Sequence, residues 1–98
     1  MFFIDIDVGK KNHEVALIDE TSRTIGKTFR VTNTKQRSEQ FLKFINSYQL
    51  LPENTMIGME ATGHYWLSIF SFLNGLGFSV TAFNPIQSNV LRDFYITH

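Results

Sequence analysis

Two acidic residues, Asp7 and Glu60, each follow a run of apolar residues that is typical of a β-strand. In open α/β sheets, acids at the carboxyl ends of strands face the crevice where ligands bind. If the two strands are parallel neighbours, the two carboxylates approach each other and repel unless a cation or a shared proton intervenes. Divalent cations held by acids are the usual arrangement for in-line phosphodiester displacement. We therefore predict that Asp7 and Glu60 are catalytic and share an Mg2+ or Mn2+ site.

Simpler explanations for the same acids are also open. Asp7 precedes Gly9 and could cap the turn that follows the strand, whereas Glu60 could pair with a lysine of that turn. Asp5 shares a strand face with Asp7, because side chains alternate along a strand. The two carboxylates could converge on one cation, but Asp5 is closer to the start of the strand, and we expect it to point at the rim of the sheet.

Two further groups could contact nucleic acid. Lys10 and Lys11 lie in the turn after Asp7, at the mouth of the expected crevice, where they suit a nucleic-acid backbone. Thr62 lies in the turn from a strand into a helix, where helix amide groups can hold a phosphate. His64 opens that helix, where it could touch substrate or serve as an acid–base group. The alternatives are a solvated charged hairpin for the lysines, a helix cap for Thr62, and packing beside an aromatic residue for His64.

These residues are positioned by eight predicted elements in the order β-β-β-α-β-α-β-α. Alternating apolar residues and turn signals predict strands at residues 2–8, 13–19, 25–32, 55–60 and 78–83. An apolar stripe predicts a helix around residues 41–48, with Thr34 as its cap, and Pro52 at the end of the loop that follows. Further helices are predicted at residues 64–74 and from Asn84-Pro85 onward.

This order predicts one α/β domain over residues 1–98, because three strands joined by short turns form an antiparallel meander and βα crossovers extend it. The expected result is a mixed five-stranded sheet with helices on its faces. The chain stops inside an apparent helix, so we expect the domain to be truncated at its carboxyl end. Asp93 lies in that helix beside Arg92, and we expect it on a solvated face.

Composition narrows the classes of function. The formal net charge is zero, whereas a free-standing DNA-binding domain usually has a basic excess. The chain has no Cys and no apolar run long enough for a membrane span, which fits a cytoplasmic protein. The helix predicted from His64 is apolar on more than one side, so we expect homo-oligomers or docking of a missing carboxyl-terminal part.

Three segments carry a resemblance to a known family: Ile4-Asp5-Ile6-Asp7-Val8-Gly9-Lys10, then Gly58-Met59-Glu60-Ala61-Thr62-Gly63-His64-Tyr65-Trp66, then Asn84-Pro85. The chain resembles the DEDD-type transposases of bacterial insertion sequences, relatives of the pilin-gene invertases. The resemblance implies a ribonuclease-H-like fold similar to the resolvase RuvC. It also implies DNA transposition or recombination by metal-dependent cleavage and strand transfer, with Asp7 and Glu60 as the first two of four acids.

The rest of the family's machinery lies beyond the sequence. The third and fourth acids belong to a motif that follows the Asn-Pro helix, and a carboxyl-terminal domain supplies a nucleophilic serine. Some relatives are reported to use a guide RNA. The resemblance therefore implies that residues 1–98 are the amino-terminal, incomplete part of the catalytic domain. We expect it to bind its metal weakly and to be inactive alone.

Two other classes of function are considered. One half of a sugar-kinase or actin-like ATPase has the same core, but its phosphate turns are usually richer in Gly, Ser and Thr than Gly9-Lys10-Lys11-Asn12. The chain could also be a non-catalytic nucleic-acid-binding or interaction module, such as a decayed transposase fragment. ATP binding would identify the first class, and metal titration would distinguish the second.

Overall fold

The strands and helices follow one another in the predicted order. A computed structural model describes residues 1–60 and 65–83. The elements are β1 (Phe2–Asp7), β2 (Asn12–Ile18), β3 (Thr24–Thr32), α1 (Arg37–Ser47), a 3-10 helix (Pro52–Asn54), β4 (Thr55–Glu60), α2 (Trp66–Gly75) and β5 (Ser79–Phe83). The helix predicted from Asn84, which includes Asp93, lies outside the described residues.

The five strands form one mixed sheet in the order β3-β2-β1-β4-β5. β1 pairs antiparallel with β2, and β2 pairs antiparallel with β3, as predicted for the meander. β1 pairs in parallel with β4, and β4 pairs in parallel with β5. β1 is therefore the central strand, and it neighbours β4 in parallel, which is the condition under which Asp7 and Glu60 were expected to approach each other.

The core lies on one face of this sheet. Alternate residues of the three central strands are buried there: Ile4, Ile6, Val15, Leu17, Ile57 and Met59. α1 and α2 pack against this face through five buried side chains: Phe41, Phe44, Ile45, Ile69 and Leu73. Both described helices thus occupy the same side, and the alternate residues of β1 and β4, including the two acids, lie on the opposite face.

Two local predictions were wrong in detail. α1 begins at Arg37 with Gln36 at its N-cap, not Thr34. The Thr34 hydroxyl instead lies 3.4 Å from the Gln36 amide and 2.9 Å from the Thr32 hydroxyl, so it closes the turn before the helix. Pro52 begins the 3-10 helix instead of ending a loop, because its fixed φ suits a first helical position.

Most of the apolar surface of α2 packs against the core. Trp66, Phe70 and Phe72 are half-buried and pack against it, whereas Leu67 is 52% exposed. Tyr65 and Leu76 are exposed at the two ends of the helix. In the part of the chain that the structure describes, no helix has both the length and the apolar character needed to cross a bilayer.

Candidate functional site

Asp7 and Glu60 are paired in register at the ends of neighbouring parallel strands. Each is the last residue of its strand, β1 or β4. Neighbouring strands lie about 4.8 Å apart, and paired residues point to the same face. The backbone therefore brings the two side chains to one face of the sheet, at the carboxyl ends of its parallel strands, as the sequence predicted.

The Asp7 side chain is exposed to solvent, and Glu60 is half-buried. The carboxylate of Asp7 is not surrounded by apolar groups, because the strand ends at this residue and its apolar neighbours point to the other face. Within residues 1–60 and 65–83, no cluster of three His, Cys, Asp or Glu side chains could hold a metal ion. The candidate site therefore consists of two acids.

Asp5 lies two residues before Asp7 on the same face, as predicted, but the expectation that it points at the rim of the sheet was wrong, because it lies inside the central strand. It is half-buried and in register with Gly58 of β4 and Ala16 of β2. A Cβ atom at Gly58 would lie 2.9 Å from Phe3 Cζ and 3.4 Å from Phe83 Cε2. Two aromatic rings therefore cover this glycine, and a small residue is needed beside Asp5.

The turn after Asp7 presents Lys10 and Lys11 to solvent. Gly9 is needed there, because a Cβ atom would collide with the carbonyl oxygen of Asn12. The Gly9 amide donates to His13 Nδ1 at 3.2 Å. The two lysines therefore extend from a turn that is anchored at its first residue.

Asn33 anchors the same turn from the end of β3. Its side-chain amide donates to the Lys10 carbonyl at 2.9 Å, and its backbone amide donates to the Lys11 carbonyl at 2.8 Å. Arg37 Nη1 in turn donates to Asn33 Oδ1 at 2.9 Å. Sequence reasoning missed Asn33 and Arg37, since no local pattern connects residues so far apart along the chain.

His13 is fully buried on the core face of β2. Burial lowers its pKa below the ordinary value of 6.5, the charge of Arg37 lowers it further, and Asn33 partly opposes the shift. Because Nδ1 accepts from Gly9, the single proton of the neutral ring is assigned to Nε2. Nε2 has no hydrogen-bond partner among the described residues.

Glu14 and Arg30 add a fourth acid and a cation to the face that carries Asp5, Asp7 and Glu60, which is called the acidic face below. Glu14 is in register with Asp7 on one side and with Arg30 on the other. Arg30 Nε donates to Glu14 Oε1 at 2.8 Å. This pair was not predicted from the sequence. The alternation of β2 places Glu14 on the face opposite the core, but only the register between the strands makes it a neighbour of Asp7. Thr62 and His64 lie outside the described residues.

A match to the profile of a protein family shows the class of protein. The profile of a transposase family, the DEDD transposases of the IS110 type, matches residues 4–98. The chain belongs to this transposase family. The match covers nearly the whole chain and includes the positions of Asp7 and Glu60. A search of curated proteins found no match for the transposase chain.

Solved structures of the same fold support the RuvC-like architecture. T. thermophilus RuvC, in complex with Holliday junction substrate, aligns with a TM-score of 0.64 and 15% identity, covering 89% of this chain. A sugar-kinase candidate from Cytophaga hutchinsonii gives a TM-score of 0.64 at 11% identity, covering 98% of this chain. YeaZ from Pseudomonas aeruginosa gives 0.57 at 12%, covering 86%.

These likenesses show the fold alone, because identity is low in each case. The transposase chain spans 40% of the sugar-kinase candidate, 45% of YeaZ and 66% of RuvC. The fold is therefore shared by proteins described in quite different terms, and the family match is what separates the transposase class from the sugar-kinase class.

The buried His13 makes the stability of the transposase chain depend on pH. Its folded-state pKa is lowered, so below about pH 6.5 the unfolded chain binds more protons than the folded chain. This contribution to stability is fully present above pH 6.5 and is lost as pH falls toward the folded-state pKa. Urea denaturation at pH 7.5 and 5.5 should show lower stability at pH 5.5, with a smaller difference in His13→Asn.

Asn can still accept a hydrogen bond from the Gly9 amide, so His13→Asn removes the titration with limited loss of the turn. His64→Gln and His98→Gln serve as controls and should retain the dependence on pH. An unchanged difference between the two pH values in His13→Asn would contradict the assignment.

Proposed function

We propose that the chain is the amino-terminal part of a catalytic domain for DNA transposition, in which Asp7 and Glu60 hold a divalent cation. The observation that carries the proposal is the register pair of these acids at the ends of two parallel strands. Membership of a transposase family supplies the class of reaction, cleavage of DNA phosphodiester bonds and strand transfer. RuvC, bound to Holliday junction substrate, has the same fold and supports DNA as the partner.

The donor atoms of the site suit Mg2+ or Mn2+, because these hard cations prefer carboxylate oxygens and keep several waters or substrate oxygens as further ligands. Asp7 is exposed and, among the described residues, its carboxylate forms no hydrogen bond or ion pair that would compete with a cation. A bound divalent cation would stabilise the charge that develops on a reacting phosphate. Asp7 and Glu60 would hold it at the edge of the sheet.

In this proposal a few positively charged side chains bind the DNA, since the net charge of the chain is zero. Lys10 and Lys11 are exposed directly after Asp7, where they would contact the DNA backbone. Thr62 and His64 are proposed as further backbone contacts on sequence grounds alone. For the full-length protein, the same proposal includes a cytoplasmic location, a carboxyl-terminal domain with the remaining acids, and a guide RNA.

Metal binding tests the acid pair directly. Titration of the 15N-labelled chain with Mn2+ should broaden amide resonances around Asp7 and Glu60 before all others. Asp7→Asn and Glu60→Gln should each weaken this binding by at least about tenfold, because each removes one of two anionic ligands. Glu39→Gln, an exposed acid on α1, is the matched control and should bind as the unaltered chain does. Equal broadening in all four proteins would contradict a shared site.

The isolated chain should not cut or join DNA. The family resemblance supplies only Asp7 and Glu60 of four acids, and loss of half the ligands should cost more than the several kcal/mol that a well-held metal contributes. Incubation of a supercoiled plasmid with the purified chain and Mg2+ should leave it intact. Mg2+-dependent nicking that disappears in Asp7→Ala would show that two acids suffice.

We also propose that the chain associates with a second copy through the outer side of α2. Leu67, the most exposed apolar residue of that helix, supports this, since exposed apolar surface often marks an interface. Light scattering at high concentration should show dimers that Leu67→Glu reduces. Leu42→Glu, at a 38% exposed position on α1, is the control and should leave association unchanged. A strict monomer would contradict the interface.

A further inference from the structure

One register row crosses all five strands on the acidic face. Paired residues of neighbouring strands lie on the same side of a sheet, so their order follows from the strand pairs. The row runs through Arg30, Glu14, Asp7, Glu60 and Phe83. The proposed metal ligands are therefore the third and fourth members of a continuous line, and an ion pair occupies its first two positions.

The geometry of the ion pair leaves most of the guanidinium group available. Glu14 binds Arg30 through Nε alone, and the Arg30 side chain is 65% exposed. Within the part of the chain that the structure describes, the two terminal nitrogens of Arg30 donate no hydrogen bond. Their four N–H groups are therefore free for an acceptor that approaches along the acidic face.

The pair also changes the charge of the row. Without Arg30, three carboxylates would lie side by side at Glu14, Asp7 and Glu60, and a polyanion would be repelled from all of them. Arg30 neutralises the outermost acid and places a cation at the end of the row. Within the row, the remaining negative charge then lies on the two residues that the proposed function assigns to the metal.

We infer that Arg30 binds a nucleic-acid backbone phosphate beside the one held at Asp7 and Glu60, and that Glu14 is its positioning residue. The inference rests on the proposed function, because it takes DNA to lie along the acidic face. The guanidinium group is planar and suits bidentate contact with phosphate oxygens. An acceptor at Nε fixes the plane of that group, so the terminal nitrogens reach the phosphate already oriented.

The spacing fits one strand of a DNA duplex that lies along the row. Arg30 lies two strands away from Asp7, which is about 10 Å between Cα atoms. Duplex DNA has one phosphate per strand about every 3.4 Å of its axis. Arg30 would thus contact a phosphate within about three nucleotides of the one at the acid pair. Lys10 and Lys11, in the turn beyond the end of β1, would hold the backbone from another side.

DNA binding by the whole chain of 98 residues tests the role of Arg30. The probe is a fluorescent duplex oligonucleotide with Mg2+, and affinity is measured by anisotropy over a range of salt concentrations. Arg30→Gln should weaken binding several-fold and reduce the slope of log K against log salt by about 0.9, the loss of one phosphate contact. Arg23→Gln removes the same charge from the turn between β2 and β3, at the opposite end of the sheet, and should leave the slope unchanged.

Two substitutions of Glu14 separate positioning from charge. Glu14→Gln and Glu14→Leu remove the same negative charge, but only Gln keeps an oxygen that can accept from Arg30 Nε. If Glu14 orients Arg30, Glu14→Leu should bind several-fold more weakly than Glu14→Gln and lose part of the salt slope. If Glu14 acts only as a charge, the two variants should bind equally, and both more tightly than the unaltered chain.

The outcomes distinguish this inference from the proposed function. Equal salt slopes for Arg30→Gln and Arg23→Gln, in a chain that does bind DNA, would overturn the role of Arg30 and leave the acid pair untouched. Equal affinities for the two Glu14 variants would overturn the positioning role. Failure of the unaltered chain to bind DNA at all would overturn the proposed function and this inference together.

Discussion

The parallel pairing of β1 with β4 decides which side chains meet at the carboxyl edge of the sheet. A slip of one residue would turn the buried face of β4 outward, because side chains alternate along a strand. Full burial of Ile57 or Met59 is worth about 1.5–3 kcal/mol each. Repulsion between two carboxylates about 5 Å apart costs about 1 kcal/mol in water and about 3 kcal/mol at the effective dielectric constant of a protein surface. The core therefore fixes the register and holds Asp7 beside Glu60 despite their like charge.

A second constraint acts on the turn between β1 and β2. Gly9, His13 and Asn33 anchor this turn, which presents the two lysines, and His13 belongs to the core while Asn33 belongs to the end of β3. The turn is therefore attached both to the core and to the far strand of the meander. The strand pair β1–β4 and this turn together place acids and cations on neighbouring surfaces of a chain whose net charge is zero.

Most of the fold was predictable because alternation and turn residues are local signals. The Ile4-Asp5-Ile6-Asp7 alternation fixed which residues share a face, and the neighbouring positions of Asp7 and Glu60 followed from one assumption about strand order. The Glu14–Arg30 pair and the Asn33 anchor were missed, since both depend on the register between strands. The N-cap of α1 was wrongly predicted at Thr34. The hydroxyl of Thr34 contacts the Thr32 hydroxyl and the Gln36 amide, because a polar side chain near a helix start can close a turn instead of capping the helix.

The exposure of Asp7 links the stability of the fold to the strength of the proposed metal site. Water around the acid pair weakens the repulsion between the two carboxylates. It also weakens their attraction for a cation, because both Coulomb energies scale inversely with the local dielectric constant. The acid pair therefore costs the fold little without an ion, and the proposed site, made of an exposed Asp7 and a half-buried Glu60 alone, would hold a cation weakly. Tighter binding requires further oxygen ligands and a covering that excludes water from the acidic face. Both described helices pack on the other face, so the described part of the chain supplies no such covering for the acidic face.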